Sequence, residues 1–221
     1  MLNTSIPSNT KQTLRLAPSY VPQALDYLNR LKTLLPLDIV SVDIGPRTVA
    51  DSSASTTRND ELILRVKPES IKKVLRVLRD HTYCKYSVLV DITGVDYPEK
   101  KERFEVVYLL LSMCYNARIR VTTYVDELTP LDSVTSLYSA AGWYEREVYD
   151  MFGIDFIGHP DLRRLLTDYG FQGHPLRKDF PLTGYYEVRY DETEKRVLSE
   201  PVETAQEYRA FTFSSPWSLR R

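Results

Sequence analysis

Residues 142–184 read GWYEREVYDMFGIDFIGHPDLRRLLTDYGFQGHPLRKDFPLTG, and this stretch divides the chain. Up to Phe152 the apolar positions keep helical spacing. Beyond it, charge, aromatics, glycine and proline come with almost no periodicity. A segment of that kind does not fold on itself, so it is laid against something else. The residues upstream can build a core, and those downstream read as an arm.

Composition sets the outer limits. The chain has 221 residues, 43% hydrophobic and 27% charged, ordinary values for a globular protein. A net charge of −1 gives no long-range pull toward nucleic acid or anionic lipid. No apolar run approaches the ~18 residues of a membrane span. Two cysteines, Cys84 and Cys114, fit a reducing compartment and exclude a disulfide framework. An iron–sulfur cluster takes about four cysteine ligands, so the chain is expected to bind no cluster. The first residues carry Lys11 and Arg15, many Ser and Thr, and no acid before Asp26. That pattern suits a mitochondrial transit remnant, and equally a polar, flexible terminus.

Working upstream from the dividing stretch, residues 129–153 are expected to form a third helix. Thr129 is its cap, Pro130 sits in its first turn, and Val134, Leu137, Tyr138, Ala141, Tyr144, Val148 and Met151 make one face. Gly142 inside it marks close packing or a kink. Before it come three strands, at 85–92, 103–113 and 117–125, the last two joined by a tight turn at Tyr115-Asn116. In the last strand Ile119, Val121, Thr123 and Val125 face one way, and Arg118, Arg120, Thr122 and Tyr124 the other. Earlier still, a helix at 20–35 ends at Pro36, strands at 39–44 and 61–66 flank a polar loop at 51–60, and Pro68 opens a second helix with Ile71, Val74, Leu75 and Leu78 on one face. The order α-β-β-α-β-β-β-α predicts an α+β fold with a mixed, largely antiparallel sheet. It implies a flexible segment at 1–17, a core at 18–152 and an extended C-terminal arm at 153–221.

In the arm only 161–167 looks helical, and 187–190 with 196–198 can pair as a ribbon. Yet it holds Phe156, Tyr169, Phe171, Phe180, Tyr185, Tyr186, Tyr190, Tyr208, Phe211, Phe213 and Trp217. Disordered tails are poor in aromatics, so the arm is expected to bury these side chains on a partner.

Candidate chemistry is sparse. Glu145 and Glu147 invite an acid–base reading, but two residues apart on a helix they point to opposite sides. Arg146 and Asp150, four apart, can pair along the helix. His159 and His174, each before a proline, make a weak metal set without neighbouring cysteines; turn histidines bonded to backbone are the commoner arrangement. Arg163, Arg164, Arg177 and Lys178 are balanced by Asp161, Asp168 and Asp179, and no Gly-rich phosphate loop accompanies them. They read as interface pairs, where bidentate arginine gives specificity.

The run Glu145-Arg146-Glu147-x-x-Asp150-Met151-Phe152, then His159 and Arg163-Arg164-Leu165-Leu166, resembles the signature of the 30-kDa (NuoC-type) subunit of respiratory complex I. The stretches GVDYPEKKERFEVVYLLLS, YNARIRVTTYVDELTPLDSV, LTDYGFQGHPLRKDFPLTGYYEVRYD and FTFSSPW extend the likeness, toward the mitochondrial form, over roughly 89–217. The resemblance implies a structural subunit of the peripheral, quinone-reducing arm of NADH:ubiquinone oxidoreductase, a proton-pumping enzyme. It implies a place on the matrix side of the mitochondrial inner membrane, or on the cytoplasmic face in bacteria. It implies packing against the 49-kDa-type subunit, no nucleic acid, no membrane span and no catalytic residue. It also implies no cofactor on this chain: NADH, FMN, iron–sulfur clusters and ubiquinone belong to the whole complex. Signature and interface residues are Glu145, Arg146, Glu147, Asp150, His159, Arg163, Arg164, His174, Arg177 and Lys178. Two other settings are an equivalent scaffold in a membrane-bound hydrogenase-type complex and a free acid–base enzyme using Glu145, Glu147 and His159.

Overall fold

A computed structural model describes residues 20–45, 61–207, 209 and 211. The segment at 1–17, the loop at 51–60 and the aromatics Tyr208, Phe213 and Trp217 lie outside the described residues.

Helix α1 (Tyr20–Leu34) leads into strand β1 (Ile39–Gly45), then β2 (Glu61–Val66). A 3-10 turn at Pro68–Ser70 opens α2 (Ile71–Asp80), followed by β3 (Val88–Asp96), β4 (Phe104–Ser112) and β5 (Ala117–Val125). These five strands form one sheet in the order β1-β2-β5-β4-β3. All neighbours are antiparallel except β2 and β5, which run parallel. The α+β expectation therefore holds, and the sheet is mixed for one reason: β2 lies beside β5, not β3.

The register puts Leu62, Leu64, Tyr108, Leu110, Ile119, Val121 and Val125 on one face, all buried. That face meets Ile71, Val74, Leu75 and Leu78 of α2 in one continuous core. The opposite face of β5 carries Arg118 and Tyr124, half-buried or exposed, as period-two alternation requires. The Tyr115-Asn116 turn is present, with Asn116 at φ 46°, a left-handed position asparagine tolerates.

Three elements differ from the sequence reading: the third strand, the third helix and the helical turn expected at 161–167. The third strand runs later than 85–92. His81 closes α2 by accepting at its carbonyl from the N–H groups of Cys84 and Lys85, and Lys85 has φ 45°, so no strand begins there. The strand then continues through Gly94, which permits close packing: a Cβ there would stand 2.8 Å from the Phe152 ring.

The third helix, α3, spans only Ala141–Phe152. Its expected first half, residues 129–140, is not helical. Leu131–Asp132 is a short strand, β6, paired in parallel with β7 (Phe156–Ile157). The capping pattern at Thr129 is overridden because Asp126 Oδ1 takes the N–H groups of Leu128 and Thr129 into a local turn. Phe156, read from sequence as part of the arm, is a core residue with 4% exposure.

The chain forms two compact units. The first runs to Arg177 rather than ending at Phe152, so that 153–177 belongs with the sheet and helices. The second begins at Lys178 and contains an antiparallel ribbon of β8 (Tyr186–Asp191) and β9 (Arg196–Pro201), close to the ribbon expected at 187–190 and 196–198.

Candidate functional site

The signature residues converge on the two ends of α3. Glu145, Arg146, Asp150, His159, Arg163, Arg164, His174 and Arg177 are each tied to a group of the first unit.

Glu145 is fully buried and reaches back to the segment that replaces the expected helix start. Its carboxylate accepts from Ser133 Oγ and from the Val134 N–H, both at 2.7 Å. Burial pushes its pKa up, opposed by those two bonds and by His159. His159 Nε2 lies 3.9 Å from the Glu145 carboxylate and 3.2 Å from Gly142 O. The Asp161 N–H donates to His159 Nδ1 at 3.1 Å. That bond uses Nδ1 as an acceptor, which leaves Nε2 to donate to Gly142 O. Gly142 sits in the first turn of α3 and makes no kink.

Asp150 is likewise fully buried. Its carboxylate accepts the N–H groups of Leu165, Leu166 and Thr167 at 3.2, 2.7 and 2.9 Å, and Thr167 Oγ1 at 2.7 Å. Three consecutive amides curl around one anion. This is why 161–167 is not a helix, contrary to its sequence pattern: its amides bind the carboxylate instead of carbonyls four residues back. Burial opposes the Asp150 charge, but the four donors outweigh it and hold this carboxyl below the usual range.

The expected Arg146–Asp150 pair does not form. Arg146 instead stacks on Trp143 at 5.1 Å and donates to the carbonyls of Arg163 and Arg164 at 3.1 and 3.3 Å. The helix thus holds one loop by both its amides and its carbonyls. Arg164 donates to Gly173 O at 3.2 Å and stands 3.8 Å from Asp150. Arg163 is exposed and pairs with Asp161 at 2.9 Å.

The C-terminus of α3 is closed by a strap at 174–177. A helix leaves its last four carbonyls without intrahelical partners. Here Tyr149 O accepts from the Gly153 N–H, Asp150 O from His174 Nδ1, Met151 O from the Leu176 N–H and Phe152 O from Arg177 Nε. Arg177 also brings positive charge to the negative end of the helix dipole. Gly153, at φ 77°, is required twice over, because a Cβ there would meet His174 Nε2 at 2.6 Å and Arg177 Nη2 at 2.7 Å.

Arg177 joins this cap to the sheet. It lies 3.7 Å from Glu127, which Arg103 also holds, and Arg103 forms a bidentate pair with buried Asp96 at 2.7 and 3.0 Å. The Phe104 ring is flanked by the two guanidinium groups at 5.3 and 5.1 Å. Lys178 is exposed and opens the second unit.

Sequence reading names Glu145, Arg146, Asp150, His159, Arg163, Arg164, His174 and Arg177 as signature and interface residues, and the structure places them on α3 and the segments packed on it. It misses Ser133, Thr167, Glu127 and Arg103, whose roles depend on neighbours distant in sequence. Glu145 and Glu147 do face opposite ways, one buried and one exposed. Both histidines are bonded to backbone, and the described residues contain no group of three or more His, Cys, Asp or Glu arranged to hold a metal ion.

Comparison with known proteins bears on the same stretch. Residues 64–186 match the family described as respiratory-chain NADH dehydrogenase, 30 Kd subunit. The NADH-ubiquinone oxidoreductase subunit 9 of Reclinomonas americana is 62% identical over 157 residues, covering 71% of this chain and 77% of that protein. The NADH dehydrogenase (ubiquinone) iron-sulfur protein 3 of Arabidopsis thaliana is 66% identical over 148 residues, covering 67% and 78%. Among solved structures, a chain of the membrane-bound sulfane sulfur reductase, an archaeal respiratory membrane complex, superposes with a TM-score of 0.56 at 25% identity, covering 72% of this chain and 86% of that one.

Proposed function

Since this chain belongs to the respiratory-chain NADH dehydrogenase 30 Kd subunit family, we propose that it serves the peripheral arm of NADH:ubiquinone oxidoreductase as a structural subunit. It associates with other subunits of that complex, supports geometry and assembly, and carries no electrons. The observation that supports this most is how the polar side chains are used. Glu145, Asp150, His159, His174 and Arg177, the groups that chemistry would recruit, are each bonded to backbone of their own chain. A general base or ligand set needs lone pairs free for substrate or metal.

The cofactor reading is part of the proposal. Some relatives are named iron-sulfur proteins, but the two cysteines here are too few for a cluster of ordinary ligation. Cys84 is buried, with its thiol pushed up by desolvation, and Cys114 is exposed beside the β4–β5 turn. NADH, FMN, clusters and ubiquinone are assigned to other subunits, and coupled proton translocation to the whole complex.

The 49-kDa-type subunit is the proposed main partner, and the second unit, with Tyr185, Tyr186 and Tyr190 exposed, is the proposed arm that covers its aromatics there. The proposed place is the matrix side of the mitochondrial inner membrane, held through partners. No helix among the described residues is long and apolar enough to cross a membrane. The archaeal sulfane sulfur reductase likeness supports a second reading, a scaffold in a related membrane complex. The 62–66% identities to NADH dehydrogenase subunits weigh against it.

The test is native electrophoresis of solubilised membranes carrying tagged chain, stained for NADH dehydrogenase activity. Co-migration with a very large active band is expected. In Arg164→Ala the amount of assembled complex should fall more than the turnover of what assembles. Normal assembly with lost turnover overturns the structural reading.

A further inference from the structure

The acidic and basic signature residues of α3 divide unequally. Glu145, Arg146 and Asp150 are engaged with backbone groups of this chain. Glu147 is exposed and has no hydrogen bond or ion pair among the described residues. It stands at a notch of about 150 Å³ between α3 and β3, the edge strand of the sheet. Asp91, Thr93 and Leu176 also line this notch. The Asp91 carboxylate too has no polar partner among the described residues.

The notch is preformed. Its floor is Gly94 pressed against the Phe152 ring, and Leu176 is fixed through its N–H to Met151 O at 3.2 Å. One helical turn before Glu147, on the same stripe of α3, Trp143 is 62% exposed. Leu176 is 54% exposed. Leu176 thus borders an opening with unpaired negative charge, and Trp143, with Arg146 stacked on it, stands one turn along the helix.

We propose that this notch receives one arginine or lysine side chain of a neighbouring protein chain, with Trp143 and Leu176 as the apolar contacts beside it. The inference rests on the subunit reading under Proposed function. Size argues for a side chain rather than a free small molecule, whose sites run to ~300–1,000 Å³. Two carboxylates are too few for a calcium site, which takes about six to eight oxygens. Sign argues for a cation, since the unpaired charges lining the notch among the described residues are both acids. Trp143 argues for a protein, because tryptophan is enriched among interface hot spots. Rigid walls lower the ordering cost of binding.

The experiment uses the full chain in cells that assemble the complex. Trp143→p-benzoylphenylalanine is illuminated in the native assembly and its cross-linked peptides are identified. In parallel Glu147→Gln and Glu147→Arg are compared with wild type for the amount of large assembly and for the thermal midpoint of the free chain. A cross-link to another chain at a segment carrying Arg or Lys is expected. Glu147→Arg should lower assembly about ten-fold, and Glu147→Gln less. Exchanging the partner's basic residue for Glu should restore Glu147→Arg. The thermal midpoint should not move, because Glu147 bonds nothing among the described residues of its own chain.

Assembly of Glu147→Arg at the wild-type level overturns the proposal. So do cross-links only to lipid, only to this chain, or to a segment without a basic residue. If Glu147→Arg lowers the midpoint of the free chain, the decision passes to Glu147→Gln and the cross-link, with the same outcomes. A wild-type chain that enters no large assembly defeats the subunit reading itself, before any variant is compared, and this inference falls with it.

Discussion

Residues 153–177 and 178–207 are written in the same vocabulary of glycine, proline, aromatics and mixed charge, yet they meet opposite fates. The first segment is absorbed by α3: its amides wrap Asp150, and its strap closes the helix end. In the second, β8 and β9 pair with each other as a two-stranded ribbon. Tyr186, Val188 and Tyr190 of β8 and Val197 of β9 share one face of the ribbon and are 63%, 68%, 52% and 62% exposed. A two-stranded ribbon alone is marginal in water. Aromatic content does not separate these two cases. What separates them is where the polar backbone groups of each segment, and of the helix end, find partners.

The sharpest way to break the contrast is to remove the anion that organises the first segment. Asp150→Ala leaves three amides and a hydroxyl without their acceptor and should destabilise the first unit by about 4 kcal/mol, read by chemical denaturation. The effect has an acid limb. The folded carboxyl titrates below its unfolded value, so its stabilisation is full above the unfolded pKa of about 4 and is lost as pH falls through the folded one. Asp150→Asn should flatten that limb.

Next comes the strap. Arg177→Ala uncaps Phe152 O and removes the guanidinium from Phe104 and Glu127, an expected cost of about 2 kcal/mol. Hydrogen exchange should show the last turn of α3 opening while the central strands stay protected. Exchange that spreads evenly over the sheet would mean that the strap is no separate device.

A smaller effect with a definite sign belongs to Glu145. Its folded pKa is raised, so the stability it contributes is complete below its unfolded pKa, about 4, and declines as pH rises through the folded value. Glu145→Gln keeps an acceptor for the Val134 N–H and a donor for Ser133. It should stay within about 1 kcal/mol of wild type, and its standing against wild type should improve from pH 4 toward neutrality. A difference that does not vary with pH would refute the linkage. Smallest of all, Val188→Ser in the ribbon should move the stability of the free chain by no more than about 0.5 kcal/mol. A large loss would show that the exposed face is already covered within the chain.

Much of this is legible in the sequence, for physical reasons that differ by element. Strand β5 is readable to the residue because alternation and a turn signal bound it. Helix α2 is readable because proline opens it and one apolar stripe runs its length. The start of α3 is not, because the Glu145 carboxylate, eleven or twelve residues later, satisfies the Ser133 hydroxyl and the Val134 amide, and no local pattern reports that. The same holds for 161–167, whose helical spacing is outbid by Asp150. The histidines can be read as backbone-bonded turn residues from the prolines after them and the lack of cysteine neighbours. Glu127 and Arg103 carry no sequence signal. Their link to Arg177 exists only once the hairpin, the loop after β5 and the strap are folded together.

The single parallel pairing has a consequence during synthesis. The β1–β2 hairpin leaves the ribosome early, but the strand that β2 needs is β5, which emerges only after α2, β3 and β4 have been made. Until then β2 presents an unsatisfied edge bearing Leu62 and Leu64 on its apolar side, the kind of edge that recruits foreign strands. The β3–β4–β5 meander is built from short-range pairings and can form without waiting. Nascent chains stalled before residue 125 should therefore draw chaperones, and those released after it should not.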